Sequence, residues 1–211
     1  MAEFGEDDVA IESRETVFSG YFQVDQYRLR HRLFAGGWSG VAGREVFERG
    51  HAVAVILYDP DRDLLVLIEQ FRIGAFAALR SQPHLAGTSP WLLEVVAGII
   101  DEGESPETVA RREAMEEAGC EIFELEPVSR FLLSPGVMTE SLELFCGRVD
   151  AGGVGGIHGL EHEHEDIRVL AVPAEEAFRW LDEGRFINAT ALVAMLWFRL
   201  HRDDLRRRWR G

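Results

Sequence analysis

Residues 98–120 read GIIDEGESPETVARREAMEEAGC, and this stretch carries its own helix punctuation. Ser105 suits an N-cap, Pro106 the first helical position and Gly119 a left-handed stop. The spacing predicts a helix over about 106–118. At ~100° per residue, Glu113, Glu116 and Glu117 fall on one face of it. Ala110, Ala114 and Ala118 form a neighbouring stripe of small side chains, which lets the helix lie close to a sheet. Carboxylates three and four residues apart repel by a few tenths of a kcal/mol per pair. A hard divalent cation turns that repulsion into attraction, and Mg²⁺ prefers a few carboxylates together with substrate phosphate oxygens. A solvated acidic face would account for the glutamates alone. It does not account for Gly98 and Glu104, which lie upstream in a loop, and the whole stretch reads as a metal site.

The same residues fit the pattern G-x5-E-x7-R-E-U-x-E-E-x-G-U, where U is bulky and apolar. Gly98, Glu104, Arg112, Glu113, Glu116, Glu117 and Gly119 fill every glycine and charged position. Ala114 and Cys120, small but apolar, hold the two U positions. The stretch resembles the box of the Nudix hydrolases. The resemblance implies an α/β fold, the Nudix α/β/α sandwich with a mixed sheet, here preceded by an N-terminal strand-rich segment. It also implies a Mg²⁺ platform, with Mn²⁺ able to substitute, for hydrolysing a diphosphate linked to another group.

Composition narrows the alternatives. The chain has 211 residues, 46% of them hydrophobic, enough for a sizeable core. Its 37 acids against 22 bases give a net charge of −15, which argues against a nucleic-acid partner. All the bases are arginine, so a Schiff-base lysine and a P-loop lysine are excluded. Two cysteines, Cys120 and Cys146, with no C-x-x-C spacing, read as buried free thiols of a reducing compartment. The acidic N-terminus lacks the apolar core of a signal peptide, and no apolar run approaches a membrane span. A cytoplasmic protein without a membrane partner is expected.

Along the chain, residues 1–13 read as a mobile polar N-terminus, residues 14–50 as a strand segment, and residues 51–211 as the catalytic domain. Residues 16–33 suggest one or two strands and residues 45–50 a third. HAVAVILY (51–58) and LLVLIEQ (64–70) read as a hairpin across DPDRD. Residues 73–90 read as an irregular connection and 91–97 as one apolar strand containing Glu94, a buried acid in need of a partner. Strands follow at about 123–133, 140–149 and 167–172, with a glycine-rich loop over 151–165. Helices are expected over 173–183 and from 188 to about 208. The arginines at 206–210 suit the second helix's C-terminus.

Four further segments resemble the ADP-ribose pyrophosphatase branch of the family: EVFERGHA (45–52), EQFR (69–72), WLLEVVAG (91–98) and SPG (134–136). So does EHEDIRV (163–169). The match covers about residues 14–209 and implies a nucleoside diphosphate sugar as substrate, split by water into AMP and ribose 5-phosphate. By resemblance, Glu113, Glu116, Glu117, Glu165 and the Ala97 carbonyl are metal ligands. Glu163 is the catalytic base, Glu116 shares or supports a metal, and Arg112 holds the box together through Glu104 or Glu116. Arg72 is a candidate clamp for the diphosphate, a surface arginine at a strand end being the alternative, and Arg44, Glu48, Pro135 and Gly136 are the expected substrate contacts. The glycines of the 151–165 loop suit a lid; solvated loop, and a zinc site at His158, His162 and His164, are the alternatives.

The N-terminal strands imply a homodimer and a contribution to the adenine and ribose pocket. Packing is the expected role of most of Phe18, Tyr21, Phe22 and Tyr27. Two departures from the branch stand out. Residues 79–89 are longer than the corresponding connection, and residues 136–138 read Gly-Val-Met where relatives often carry a second glycine. A GDP-mannose hydrolase and a silent ADP-ribose-sensing domain are the rival readings.

Overall fold

A computed structural model describes residues 4–82, 87–160 and 164–210. The chain divides into two compact units. The smaller joins Met1–His51 to Leu132–Ser141, and the larger joins Ala52–Phe131 to Leu142–Gly211.

The smaller unit is built on an antiparallel sheet of β1 (Val9–Ser19), β2 (Gln23–His31) and β3 (Ala42–Glu48). Residues 9–13, expected to belong to a polar segment preceding the strands, read VAIES and form the first half of β1. Pairing with β2, from Val9↔His31 to Ser19↔Gln23, satisfies their backbone without any apolar burial. The 134–139 turn closes onto β3, with the Phe47 N–H donating to Val137 O at 2.8 Å and the Thr139 N–H to Phe47 O at 3.2 Å. Asp25 is fully covered and accepts from Arg14, Thr16 and Gln23.

The larger unit holds an eight-stranded sheet. Its strands are β4 (Ala52–Asp59), β5 (Leu64–Phe71), β6 (Trp91–Glu94), β7 (Val96–Ile99), β8 (Glu124–Leu132), β9 (Ser141–Arg148), β10 (Gly156–His158) and β11 (Ile167–Pro173). The order is β10-β11-β5-β4-β9-β8, with β6 on β5 and β7 on β4. β4 and β9 run parallel while β5 pairs antiparallel with β4 and β11, so the sheet is mixed. The run read as one strand at 91–97 is two, broken at Val95, because its halves pair with different strands.

The helices are α1 (Ile73–Ser81), α2 (Pro106–Ala118), α3 (Ala174–Asp182) and α4 (Ala189–Trp209). Residues 73–81, expected to be irregular, are α1, a helix that buries no side chain among its residues. The unbroken apolar run of β4 reflects a strand covered on both faces. Val53, Val55 and Leu57 share a core with Val109, Ala110, Ala114 and Ala118 of α2. The alternate residue Tyr58 packs its ring on Phe198 of α4 at 4.8 Å, and Phe198 meets Phe178 of α3. Helices therefore cover both faces of the sheet, the α/β/α sandwich. Both cysteines are free and buried, and no helix among the described residues is long and apolar enough to cross a membrane.

The β4–β5 turn is fastened by two aspartates. Asp59, 1% exposed, accepts the N–H groups of Asp61, Arg62 and Ala151 at 2.9–3.0 Å and the Arg62 guanidinium at 2.8 Å. Burial pushes its pKa up, but these donors outweigh burial and hold it below the usual carboxylate range. A depressed carboxylate stabilises the fold above its unfolded value of about 3.9, and the effect disappears as pH falls through the folded value. Asp59→Asn turns one acceptor into a donor facing donors and is expected to cost about 2–3 kcal/mol at pH 7. The difference from wild type should shrink at pH 3. Equal urea midpoints at pH 7 would contradict this. At the far side of the turn, Asp63 accepts from Tyr58 Oη at 2.8 Å, from Arg202 Nε at 3.0 Å and from Arg206 Nη1 at 3.1 Å.

Candidate active site

The acidic helix forms as its punctuation predicts. Ser105 Oγ accepts the Thr108 N–H at 3.2 Å, Pro106 opens the helix, and Gly119 closes it at φ 64°. Val109, Ala110, Ala114 and Ala118 are buried against the sheet. The alanine stripe brings the helix so close to β7 that Gly98 has room for no side chain. A Cβ there would overlap the Glu113 carboxylate. Glu117, 4% exposed, accepts the Ala97 N–H at 3.1 Å. The backbone of β7 and two glutamates of α2 thus meet at one place.

Arg112 ties the remaining box acids together. Its Nη1 donates to Glu113 Oε1 at 2.8 Å and to Glu116 Oε2 at 2.9 Å, and its Nη2 to Glu104 Oε2 at 3.4 Å. It reaches both partners anticipated for it and Glu113 besides. Burial is the main cause that pushes Glu113 up to about 7, with Arg112 opposing and Glu116 adding to the rise. Burial likewise pushes Glu117 up to about 8, against the Ala97 N–H and with the charge of Glu113. Two carboxylates so close in a sheltered place are unstable as anions together, and a cation relieves that. The donors are oxygens only, the set that suits a hard cation such as Mg²⁺. Among the described residues no three acidic, histidine or cysteine side chains converge as a ready-made ion site; Glu113 and Glu116 are turned to Arg112.

Gly98→Ala is expected to displace the Glu113 carboxylate and to lower turnover by ~10²-fold, the scale of an ångström-sized misplacement. Steady-state rates and a melting curve check it, and wild-type turnover in a folded variant would show the close approach to be idle.

Arg72, following β5, gives Nε and Nη2 to Glu94 Oε2 at 3.0 and 2.7 Å. Glu94 is 5% exposed and takes a second donor from Asn188, the N-cap of α4. The buried acid thus has its partners, and most of the Arg72 fork is engaged by it. Asn188 escaped the sequence reading because its side chain was seen only as a helix start. Glu165 accepts the Leu160 N–H at 3.1 Å, and its charge adds to the rise at Glu113 and Glu117. His158 lies against Gly119, where a Cβ would come within 3.0 Å of its ring. Residues 151–165, expected to be loop throughout, include β10, which pairs with β11. Glu163 and His162 lie outside the described residues.

In the smaller unit, Glu48 accepts from Arg14 at 3.3 Å, and Arg44 donates to Gly43 O at 2.8 Å. Pro135 and Gly136 sit in the turn whose Val137 and Thr139 bond to Phe47, the residue before Glu48 on β3. Phe22 packs edge-on against Phe47 at 4.9 Å, whereas Phe18 and Tyr21 are exposed.

A mixed sheet between helices, with a glycine-tight acidic helix at its heart, defines a family. The NUDIX domain model matches residues 48–192, and the chain belongs to the Nudix family. Among its relatives is an ADP-ribose pyrophosphatase of Escherichia coli K12, 49% identical over 206 residues, which span 98% of this chain and 95% of that protein. An ADP-ribose pyrophosphatase of Haemophilus influenzae is 42% identical over 207 residues, covering 98% and 93%. A GDP-mannose pyrophosphatase of Enterobacter sp. 638 is 31% identical over 163 residues, covering 74% and 78%. A crystal structure of an ADP compounds hydrolase shares the fold, with a TM-score of 0.69 at 22% identity over 97% of both chains.

Proposed function

We propose that this Nudix enzyme hydrolyses the diphosphate of ADP-ribose to AMP and ribose 5-phosphate with Mg²⁺. The observation that carries the reaction is the pair of sheltered carboxylates, Glu113 and Glu117, held against the β7 backbone by Gly98 and Ala97. The full-length likeness to ADP-ribose pyrophosphatases supports the substrate over GDP-mannose, whose hydrolase is the more distant relative.

Glu113, Glu116, Glu117, Glu165 and the Ala97 carbonyl would hold Mg²⁺, with Mn²⁺ able to substitute. When bound, the metal neutralises the diphosphate and makes a bound water more acidic. Arg112 keeps the acids in register through its bonds to Glu104, Glu113 and Glu116. Arg72 offers its remaining N–H groups to the diphosphate, with Glu94 and Asn188 fixing its position. Glu163 accepts the proton of the attacking water. Arg44, Glu48, Pro135 and Gly136 contact the substrate. The test is a panel of nucleoside diphosphate sugars with and without Mg²⁺, products separated by chromatography. A clear preference for GDP-mannose, or turnover indifferent to a chelator, would overturn the reading.

The enzyme acts as a cytoplasmic homodimer through residues of about 14–50. Val17, Phe18 and Tyr21 are exposed on the smaller unit, with Val9 and Ile11 before them and Phe34 beyond. Such side chains on a sheet with open edges call for a cover. Sedimentation at micromolar concentration should give the mass of two chains, and a single-chain mass would refute the dimer.

A further inference from the structure

His158 takes no part in the chemistry proposed above, yet it is seated against the acidic helix. It ends β10, in register with Ile167 of β11. Register partners put their side chains on one face of a sheet, and Ile167 belongs to the core beneath α2. His158 is half-buried on that face, while its neighbour Ile157 is exposed. The contact point on α2 is Gly119, the left-handed residue that closes the helix. A Cβ there would lie 3.0 Å from His158 Cε1 and 3.6 Å from Nδ1. The ring therefore occupies room that a glycine leaves. Its Nε2 donates to Gly155 O at 3.0 Å, which fixes the plane of the ring. The helix does not need this ring as a cap, because the Gly119 and Cys120 N–H groups already close it on Met115 O and Ala114 O.

Gly159, the next residue, has φ 103° and carries Glu165 against its α-carbon, where a Cβ would lie 2.7 Å from Glu165 Cβ. The Glu165 N–H donates to Leu160 O at 3.3 Å, and the Glu165 carboxylate accepts the Leu160 N–H at 3.1 Å. Close approaches at glycines thus link the acidic helix to Glu165 in series, Gly119 to His158 and Gly159 to Glu165. A side chain at either glycine would push the partners apart. The charge of Glu165 is felt at Glu113, Glu117 and Arg72, so the series ends at the proposed metal site. A ligand carboxylate on a glycine-rich segment needs such a support, because its own backbone is too free to hold it. A histidine that merely filled the rim of the core would stabilise the fold without touching metal affinity, and this separates the two roles.

We propose that His158 is a positioning residue: seated on Gly119, it fixes the stem from which Glu165 reaches toward Glu113 and Glu117. The assignment rests on the Mg²⁺-dependent reading above. His158→Ala removes the ring and should move the Mg²⁺ midpoint ~10-fold higher, the lower end of the range for groups that orient a metal ligand. The midpoint is read from the Mg²⁺-induced rise in melting temperature, and separately from turnover. Glu165→Gln should move it too, and the double variant should match Glu165→Gln alone, because His158 acts only through Glu165. A wild type whose melting temperature and turnover ignore Mg²⁺ overturns the metal reading and the assignment with it. A wild type that responds, with a His158→Ala midpoint within about twofold of it, overturns the assignment alone. So do shifts that add in full in the double variant, which would make His158 a support of the whole fold. If His158→Ala does not fold, His158→Gln, which keeps a donor for Gly155 O without the flat edge against Gly119, is read by the same two criteria.

Discussion

Glu117→Gln is expected to lower ADP-ribose hydrolysis by ~10³-fold or more while leaving the fold intact. The size follows from the several kcal/mol of charge stabilisation that a bound metal supplies, at a factor of ten per ~1.4 kcal/mol. The intact fold follows from local structure. Burial pushes the Glu117 carboxyl up to about 8, so without a cation it is largely protonated near neutral pH. Glutamine copies that protonated form, and its side-chain oxygen can still accept the Ala97 N–H. What it cannot do is lose a proton to become an anionic ligand. Melting temperature should therefore match or exceed that of the wild type, and the Mg²⁺-induced rise in melting temperature should shrink. Near-wild-type turnover would remove Glu117 from the metal site.

Glu163→Gln should cut kcat by ~10²–10⁴-fold, the range for a general base, with substrate and Mg²⁺ affinity little changed. Glu165→Gln should act differently. Its carboxylate adds to the negative field at Glu113 and Glu117, so its loss should move the Mg²⁺ midpoint to higher concentration. Measuring kcat and the Mg²⁺ midpoint for both variants separates the roles. Small and equal effects would leave residues 163–165 as solvated loop and pass the base to Glu116 or Glu94.

How much could be read without coordinates depended on whether the governing interaction is local. The bounds of α2 are local, since Ser105, Pro106 and Gly119 each act within a turn of their position, and the helix runs Pro106–Ala118 as they dictate. The Nudix sandwich and the acidic face follow from the same stretch. α1 was hidden because Arg72 caps nothing with its side chain, the first turn has no acid, and no face is buried. The break at Val95 was hidden because an apolar run looks the same whether it serves one partner strand or two. Glu94 announced a need for a partner, but the identity of Asn188, 94 residues away, belongs to tertiary structure.

Asp63 has a bearing on how the chain is born. It is one of two non-glycine residues among those described with φ in the left-handed region, at 61°, a conformation that asks for outside support. That support comes from Arg202 and Arg206, 139 and 143 residues further along. During synthesis the β4–β5 hairpin leaves the ribosome well before the side chains that clamp its turn are made. The hairpin must wait, with its apolar strands already made, until the final turns of α4 emerge. A chain cut before Arg202 would make the hairpin and lack the clasp that closes its turn.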